Sequence, residues 1–230
     1  QHGLSQRVPR CHRRHHDLAP CFVERGLEPS PLHRVDIPDD AGVHGNQREV
    51  ALYAAPVASL AQGVPAWRRL AGLDDEVTDA ALISGTLYLL THKNTPHFKV
   101  VRLDLANPDL ATASVVVPAS DAVITGIAAG KDALYARRMV AGVSDLVRVE
   151  HVPGATAAAV KLPFAGDIDV LVADPRQPGA LFNTGTWTRF GGYYVYDPGA
   201  GVVVDTKLQP QGRYDNPGDL VSTEMKVKSH

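Results

Sequence analysis

The chain has 230 residues, of which 44% are hydrophobic, so it can form one large domain or two small ones with a buried core. Its 23 Lys and Arg nearly balance its 25 Asp and Glu, which gives no electrostatic reason to expect nucleic acid or an anionic membrane as a partner. The longest apolar runs, such as residues 50–55, are far shorter than the roughly 20 residues of a membrane-spanning helix. Two cysteines, Cys11 and Cys21, exclude a disulfide scaffold, and 20 Gly with 17 Pro indicate a turn-rich globular chain.

The first 16 residues are basic and contain no acid: they hold Arg7, Arg10, Arg13 and Arg14 with His2, His12, His15 and His16. This segment has neither a helical nor a strand period, so we expect a poorly ordered arm. The chain begins with Gln, nothing near it resembles a secretory signal, and residues 224–230 alternate apolar and polar as if a strand were cut. We therefore expect both ends to be the edges of a fragment.

From residue 49 onward the chain repeats itself, and this repetition is its most informative feature. Three Leu-aromatic pairs recur 47 residues apart, each after a Gly- or Pro-containing turn signal: Leu87-Tyr88, Leu134-Tyr135 and Leu181-Phe182. Each pair is followed by an apolar run that ends in an acid, namely Asp104, Glu150 and Asp197. A short apolar run then closes each unit, at residues 115–118, 160–163 and 202–205.

Each unit is predicted to hold four short strands, which in the first unit are residues 79–83, 86–91, 98–105 and 113–117. Strands are favoured over helices because the runs are short, rich in Val, Leu and Tyr, and separated by Gly and Pro. Residues 49–56 are predicted to be the third strand of an earlier, incomplete unit.

Four strands in each 45–50 residues are typical of the blades of a β-propeller, in which neighbouring sheets stack and bury each other's apolar faces. We predict an all-β fold, a partial propeller of three complete four-stranded antiparallel blades and one partial blade. Tyr88, Tyr135 and Phe182 are predicted to occupy equivalent positions between blades. A solenoid of β-arches is the structural alternative, although its repeats are usually shorter.

The catalytic motifs are weak. The segment Gly142-Val143-Ser144-Asp145-Leu146 comes nearest to the Gly-x-Ser-x-Gly elbow of serine hydrolases, but it lacks the second Gly and lies in a predicted hairpin, so we interpret it as a turn. There is no Gly-rich phosphate loop, His-Glu-x-x-His or Cys-x-x-Cys motif. The possible zinc ligands near the start match no known finger spacing and are expected to belong to the flexible arm: Cys11, His12, His15, His16 and Cys21.

The other chemistry-bearing residues have structural interpretations. We interpret three histidines as loop residues, His44, His92 and His97, and two acidic groups as turn or strand-entry residues, Asp39-Asp40 and Asp74-Asp75-Glu76. Two Arg pairs are predicted to be exposed strand ends rather than a channel surface, Arg68-Arg69 and Arg137-Arg138. Trp67 and Trp187 are predicted to be core residues rather than ligand platforms. We therefore predict no catalytic residue, no metal site, no cofactor and no cofactor-binding residue.

Several stretches resemble the prolyl oligopeptidase family of serine peptidases over residues 48–230, with weaker similarity over residues 23–38. They are Pro65-Ala66-Trp67-Arg68-Arg69-Leu70 with Asp74-Asp75-Glu76-Val77, Leu87-Tyr88-Leu89-Leu90-Thr91-His92-Lys93, Lys99-Val100-Val101-Arg102-Leu103-Asp104-Leu105, Val115-Val116-Val117-Pro118, Asp132-Ala133-Leu134-Tyr135, Leu162-Pro163-Phe164-Ala165-Gly166, Asp174-Pro175 with Pro178-Gly179, Tyr196-Asp197-Pro198 and Met225-Lys226-Val227-Lys228-Ser229-His230. A family strand with a Ser-x-Asp-Gly type turn, expected between the two regions, is missing here.

The resemblance implies a seven-bladed propeller that caps an α/β-hydrolase domain with a Ser-Asp-His triad and admits short, proline-containing peptides. The matching part is the later portion of the propeller, and the triad would lie beyond His230, so no catalytic residue is carried over. Ala54 stands where some family members have a Cys beside the pocket, so no binding residue is carried over either.

We therefore expect a fragment of a non-catalytic, substrate-gating propeller, inactive alone, whose parent is a serine-type endopeptidase. Residues 1–47 would hold the basic arm and an irregular or incomplete first blade, and residues 48–230 the blades up to the junction with the missing hydrolase domain. The expected partners are that domain and, in the parent, a short peptide substrate, with self-association through exposed blade faces. A cytoplasmic location is expected from the cysteine usage and the absence of a signal. The alternatives are a free-standing propeller-like protein-interaction module and a propeller enzyme with its own acid or metal site, for which the repeats show no cluster.

Overall fold

The computed structural model describes residues 33–35, 48–56, 67–223, 225 and 228. Several predictions concern residues outside these ranges: the basic arm, the cysteines and their neighbouring histidines, Asp39-Asp40, His44 and most of the alternating segment at 224–230. Nearly every regular element in the described part is a β-strand, and the exception is one turn of 3-10 helix at Leu73–Asp75.

The strands form four antiparallel sheets in chain order. Sheet I contains β1 (His33–Val35), β2 (Leu52–Pro56) and β3 (Arg68–Ala71). Blade A contains β4 (Val77–Ile83), β5 (Thr86–Thr91), β6 (Lys99–Asp104) and β7 (Ser114–Val117). Blade B contains β8 (Val123–Ala129), β9 (Ala133–Val140), β10 (Val143–Glu150) and β11 (Ala158–Val160). Blade C contains β12 (Leu171–Val172), β13 (Ala180–Thr184), β14 (Gly192–Asp197) and β15 (Val202–Asp205).

Each blade is a meander in which every strand pairs with the next one along the chain. The prediction of three complete blades and one partial blade is confirmed for the described residues. In sheet I the order is β1-β2-β3, and β3 leads into blade A, so β2 occupies the third-strand position that the sequence predicted for residues 49–56. The lengths of the strands in blade A also agree with the prediction to within two residues at each end.

Two-residue turns fix the register of two hairpins. Ser84 and Gly85 join β4 to β5 with φ values of 45° and 76°, and Ala141 and Gly142 join β9 to β10 with φ values of 50° and 79°. Positive φ at both central residues is the conformation whose twist matches that of paired strands. The glycine in each turn adopts this conformation without steric cost from a side chain.

Three apolar clusters lie between successive sheets. Cluster I, between sheet I and blade A, includes Leu52, Ala54, Leu70, Leu87 and Leu89. Cluster II, between blades A and B, includes Tyr88, Leu90, Val100, Leu134 and Ala136. Cluster III, between blades B and C, includes Tyr135, Leu146, Ile168, Phe182 and Tyr194. Because neighbouring residues of a strand point to opposite faces, β5 sends Leu87 to cluster I and Tyr88 to cluster II, and one blade contributes to two interfaces.

The predicted equivalence of Phe182 with Tyr88 and Tyr135 is wrong by one position. Tyr88 and Tyr135 each face the following blade, whereas Phe182 faces back toward blade B in cluster III. The register explains the difference. Leu181, and not Phe182, occupies the position in blade C that Tyr135 occupies in blade B, because Leu181 pairs with Val195 on the third strand as Tyr135 pairs with Arg148. A shift of one residue moves a side chain to the opposite face of a sheet. Phe182 is nevertheless fully buried between blades.

Candidate functional site

Ser144, the only residue considered as a nucleophile, is a structural residue of a hairpin. It follows the turn at Gly142 on β10 and is 3% exposed. Its hydroxyl donates to Oδ1 of Asp167 at 2.7 Å, and its backbone N–H donates to the carbonyl of Gly166 at 2.8 Å. These two bonds fasten blade B to the segment that enters blade C, as expected of a turn rather than an elbow.

The acidic group at residues 74–76 forms the turn and strand entry that the sequence predicted. Asp75 ends the 3-10 turn, and its carboxylate accepts from the N–H of Gly72 at 2.9 Å and from Nζ of Lys93 at 3.0 Å. Burial opposes ionisation of Asp75, but these hydrogen bonds outweigh it and lower its pKa. Glu76 has a φ of 51° immediately before β4. These contacts set the geometry of the turn that leads into β4.

Of the three histidines predicted to be loop residues, His92 and His97 are described and lie between β5 and β6. His97 places Nδ1 2.6 Å from the carbonyl oxygen of Ser120. His92 lies between two carboxylates, with Nε2 2.8 Å from Oε1 of Glu49 and Nδ1 3.2 Å from Oε2 of Glu76. Sequence reasoning missed this arrangement because Glu49 is 43 residues away and reaches His92 only through the packing of sheet I on blade A.

The prediction that Arg137-Arg138 is an exposed strand end is wrong. Both residues are half-buried within β9. The guanidinium of Arg137 donates to the hydroxyl of Thr125 at 2.8 Å and to the carbonyls of Ile168 and Asp169 in the next blade. Arg138 pairs with Asp145 across the hairpin at 2.6 Å. Arg137 is half-buried because it reaches carbonyl groups of the segment that enters the following blade, whereas Arg138 is held by a carboxylate of its own hairpin. Arg68 and Arg69 on β3 are exposed, as predicted.

The first strands of the blades lie next to one another, with β8 against both β4 and β12. Asp79 on β4 links two of them, because its carboxylate accepts from the N–H of Ala80 at 2.8 Å and from the N–H of Ile127 on β8 at 3.2 Å. Burial raises the pKa of this carboxyl group. Asp79 therefore links blades A and B. The contacts of its carboxylate in the described part are with these backbone N–H groups. Among the described residues, no group of three or more His, Cys, Asp or Glu side chains is arranged to hold a metal ion.

A second polar contact between blades centres on Asp132, in the turn before β9. Its Oδ2 accepts from the hydroxyl of Tyr135 at 2.7 Å, and its Oδ1 accepts from the N–H of Gly179 in blade C at 2.8 Å. Burial is the main reason that the pKa of Tyr135 is raised, and the hydrogen bond to Asp132 adds to it. The repeated tyrosine position is the feature of the sequence that could have predicted this contact, because a buried tyrosine hydroxyl needs a hydrogen-bond partner.

The structure contradicts the prediction that Trp187 is a core residue. Its side chain is 97% exposed at the tip of the loop between β13 and β14. The loop closes on itself through Thr186 and Arg189, whose backbone groups are hydrogen-bonded at 2.9 and 3.4 Å, so Trp187 projects beyond the end of the sheet and has no strand to pack against. Trp67 is half-buried.

Trp187 belongs to a group of exposed aromatic side chains that we call the aromatic corner, formed by Trp187, Phe190 and Tyr214. Phe190 is 61% exposed and Tyr214 is 79% exposed. The N–H of Phe190 donates to the carbonyl of Asp215 at 2.7 Å, which joins the loop to the segment that follows β15. The guanidinium of Arg189 lies 4.1 Å from the centre of the Phe164 ring.

The aromatic corner exposes side chains of the kind that proteins use to contact one another. It lies at the edge of the propeller where second strands connect to third strands and where fourth strands connect to the next blade. Exposed aromatic and arginine side chains are enriched where proteins contact proteins. A cluster of large apolar side chains on a surface marks a contact site more often than an isolated one does.

The comparisons with known proteins identify the fold but no close relative. No protein-family profile and no curated protein match this sequence. Within the described residues, no helix is long and apolar enough to cross a membrane.

Solved structures of prolyl peptidases superpose on this chain. One, from a study of two prolyl endopeptidases and the role of inter-domain dynamics in catalysis and specificity, gives a TM-score of 0.59 at 18% identity and covers 76% of this chain. Prolyl oligopeptidase B from Galerina marginata gives a TM-score of 0.55 at 15% identity in its apo form, over 76% of this chain. The same enzyme bound to a 35mer hydrolysis and macrocyclization substrate gives 0.55 at 18% identity, again over 76%.

The match covers only 24% of each of those three chains, so this chain spans about a quarter of their length. At 15–18% identity such a likeness establishes the fold and not the activity. The blade order, the strand pairing and the superposition agree with one another, and the expectation of a propeller portion is confirmed. The described part of this chain therefore has the fold of a portion of the β-propeller of prolyl oligopeptidases.

Proposed function

We propose that this chain is part of the non-catalytic, substrate-gating β-propeller of a prolyl oligopeptidase-like serine peptidase that acts on short, proline-containing peptides. The observation that carries the proposal is the superposition of this chain on a solved prolyl endopeptidase over 76% of its length, with a TM-score of 0.59. The residues that sequence reasoning weighed for catalysis support it as well. In the described part, Ser144 is hydrogen-bonded to the segment that enters blade C, and the acids at 74–76 form a turn.

In this proposal the role of the chain is steric. A ring of blades covers a catalytic centre in another domain, and substrates reach it through a channel or by separation of the domains. We assign residues 48–230 to the blades up to the junction with the hydrolase domain, and residues 1–47 to the basic arm and an incomplete first blade, to which β1 contributes. The parent enzyme acts in the cytoplasm.

The free face of blade C supports the idea of a larger ring. Four apolar residues lie in one cross-strand row, because Val172 pairs with Leu181, Leu181 with Val195, and Val195 with Val204. Val172 and Val204 are each 52% exposed. The equivalent face of blade B is buried against blade C in cluster III, so we infer that a further sheet covers this row in the parent, and that the isolated chain self-associates through it.

The aromatic corner is the surface at which we place the contact with the catalytic domain. Trp187, Phe190 and Tyr214 are exposed on one edge of the propeller, and aromatic residues of this kind dominate the binding energy of many protein interfaces. A separate catalytic domain is thereby held over one end of the ring.

The test is an activity assay on the purified chain. The 230-residue chain should release no product from a chromogenic prolyl reporter peptide, because in this proposal the nucleophile, base and oxyanion donors belong to the other domain. Turnover that survives further purification and resists removal of contaminating peptidases contradicts the proposal.

A free-standing propeller-like interaction module is the second candidate, and the exposed aromatic corner favours it, because such a surface serves any protein partner. The reading frame downstream of His230 separates the two candidates. A frame that continues into a Gly-x-Ser-x-Gly elbow supports the peptidase, whereas a stop codon directly after His230 supports the module.

A further inference from the structure

A cavity of about 400 Å³ lies beside the hairpin that joins β10 to β11 in blade B. Its charged lining residues are Arg148 and Glu150, and the rest of its lining comes from residues 152–156 and from Ala158. The volume is in the lower part of the range of about 300–1,000 Å³ that small-molecule sites occupy. The cavity belongs to blade B and the aromatic corner to blade C, and the proposed function does not depend on this cavity.

The loop that borders the cavity is held at both ends. It begins at His151, whose Nδ1 lies 2.8 Å from the hydroxyl oxygen of Tyr88 and whose Nε2 lies 2.7 Å from the carbonyl oxygen of Gly130. It ends at β11, whose first residue, Ala158, pairs with Arg148 on β10. The charged residues and the loop are therefore parts of one hydrogen-bonded hairpin.

The loop contributes apolar side chains to the cavity, from Val152, Pro153 and Ala155. The N–H of Ala155 donates to the carbonyl of Val152 at 3.3 Å, and Gly154 between them has a φ of 77°, so the chain turns tightly at this point. The side chain of Ala155 also packs against cluster II. A ligand therefore meets a preformed wall, which reduces the conformational entropy that binding must overcome.

The guanidinium of Arg148 is the main chemical feature of the cavity. The side chain is 21% exposed, and its Nη2 lies 3.4 Å from Oδ2 of Asp132 and 3.6 Å from Oε1 of Glu150. Hydrogen bonds between charged groups are usually about 2.7–2.9 Å long, so both contacts are weak. Among the described residues, the buried Nε of Arg148 has no hydrogen-bond partner. The guanidinium therefore retains the capacity to donate to a further acceptor.

The two neighbouring acids do not saturate this guanidinium, each for its own reason. Asp132 accepts shorter hydrogen bonds from other groups, at 2.7 Å from the hydroxyl of Tyr135 and at 2.8 Å from the N–H of Gly179. Glu150 is 59% exposed, so solvent screens its attraction to Arg148.

The charges around Arg148 select one class of ligand. A simple anion is a poor match, because the carboxylates of Asp132 and Glu150 lie near the same nitrogen and repel it. A zwitterion avoids this conflict, since its carboxylate accepts from Arg148 while its ammonium group donates to the exposed carboxylate of Glu150. The apolar loop residues then contact the small side chains of the ligand.

We propose that this cavity is a binding site for a zwitterionic ligand of the size of a dipeptide. Arg148 holds the carboxylate of the ligand, and Glu150 holds its ammonium group. The site is separate from any catalytic centre, so its occupation needs no peptidase activity and can be measured by binding alone.

The test is a titration of the full chain with alanyl-alanine, followed by NMR at the backbone N–H groups of Gly154 and Ala155. Both signals should shift and reach saturation. Alanyl-alanine amide lacks the carboxylate and N-acetyl-alanyl-alanine lacks the ammonium group, so each should bind at least about tenfold more weakly through the loss of a hydrogen bond to a charged group. Shifts that do not saturate, or equal binding of either analogue, overturn the proposal.

Matched variants identify the residues responsible. Arg148→Gln should weaken the binding of alanyl-alanine by about ten- to a hundredfold. Arg176→Gln is the control, because it removes an arginine that is 75% exposed and also paired with an acid, and it should leave binding unchanged. Glu150→Gln should weaken the binding of alanyl-alanine and leave that of N-acetyl-alanyl-alanine unchanged.

A further variant separates binding from folding. Arg148 contacts Asp132, so Arg148→Gln could also affect the stability of blade B. Ala158→Leu narrows the cavity from an exposed position and keeps both charges, and it should weaken binding while the spectrum of the rest of the chain stays that of the wild type. If Glu150→Gln and Ala158→Leu both bind alanyl-alanine as the wild type does, the site does not exist.

Discussion

The hydroxyl of Tyr88 in blade A lies 2.8 Å from Nδ1 of His151, which follows the third strand of blade B. The other ring nitrogen of His151, Nε2, lies 2.7 Å from the carbonyl oxygen of Gly130. A carbonyl only accepts, so Nε2 carries a proton, and in the neutral ring Nδ1 accepts from the tyrosine hydroxyl. Tyr88 is fully buried in cluster II, and burial raises the pKa of its hydroxyl. One side chain thus contributes both apolar packing and a polar link to the contact between two blades.

Replacing Tyr88 with Phe should destabilise the chain by about 1–2 kcal/mol, because the ring packing remains while a buried hydrogen bond to His151 is lost. Urea denaturation measures the change in the free energy of unfolding. Tyr214→Phe is the control, since Tyr214 is 79% exposed and its variant should differ from the wild type by less than about 0.5 kcal/mol. Equal midpoints for Tyr88→Phe and the wild type contradict the assigned contact.

Two neighbouring substitutions test whether Phe182, and not Leu181, faces blade B. Phe182→Ala should cost about 3–5 kcal/mol, because its ring is fully buried between blades B and C. Leu181→Ala should cost much less, because Leu181 lies on the free face of blade C and is only partly buried. Thermal denaturation of both variants gives the comparison. A larger loss for Leu181→Ala reverses the assignment of the two faces.

Asp79 should make the stability of the chain depend on pH in a particular direction. Its pKa is raised by burial above the ordinary value of 3.8, so the folded state binds the proton more tightly than the unfolded state. The contribution of Asp79 to stability is therefore present at low pH and is lost as the pH rises through its folded pKa. The difference in stability between the wild type and Asp79→Asn should change with pH above 3.8 in this direction. Asp121→Asn, at an exposed loop position, is the control, and a constant difference for Asp79→Asn disproves the prediction.

The aromatic corner should contribute to binding and not to folding. Trp187→Ala should leave the free energy of unfolding within about 0.5 kcal/mol of the wild type, because the side chain is 97% exposed. In the complete protein the same substitution should weaken the contact between the domains, which is measured as increased proteolysis of the linker between them. Val143→Ala, at a 46% exposed position on β10, is the matched surface control. A large loss of stability in Trp187→Ala would show that the side chain packs within the propeller.

The strands were predictable because their signals are local. Alternating apolar runs and the Ser84-Gly85 turn placed the hairpin of β4 and β5, and the predicted bounds of residues 86–91 are those of β5. The repeat period then gave the number of blades. The face of the sheet on which Phe182 lies could not be predicted from the sequence. A shift of one residue in the preceding turn moves every side chain of the strand to the opposite face and leaves the composition unchanged.

The polar contacts were the least predictable part. Arg137 is half-buried because carbonyl groups of the following blade accept from it, and Glu49 reaches His92 only when two sheets stack. The residue type of Trp187 predicts a core position, but its loop extends beyond the sheet and leaves the side chain 97% exposed. In each case the outcome depends on a neighbouring blade or on the end of a strand, and neither is encoded in the residues next to it.

The most direct test of the account compares the size of substrates that the complete protein accepts with and without this propeller. The complete protein, expressed from its natural reading frame, should cleave a proline-containing octapeptide and leave an unfolded protein of 100 residues or so intact, since a closed ring of blades excludes long chains. Removing the propeller while keeping the catalytic domain should abolish this discrimination. A complete protein that cleaves both substrates at comparable kcat/KM, or that cleaves neither, would contradict a gating role for this chain.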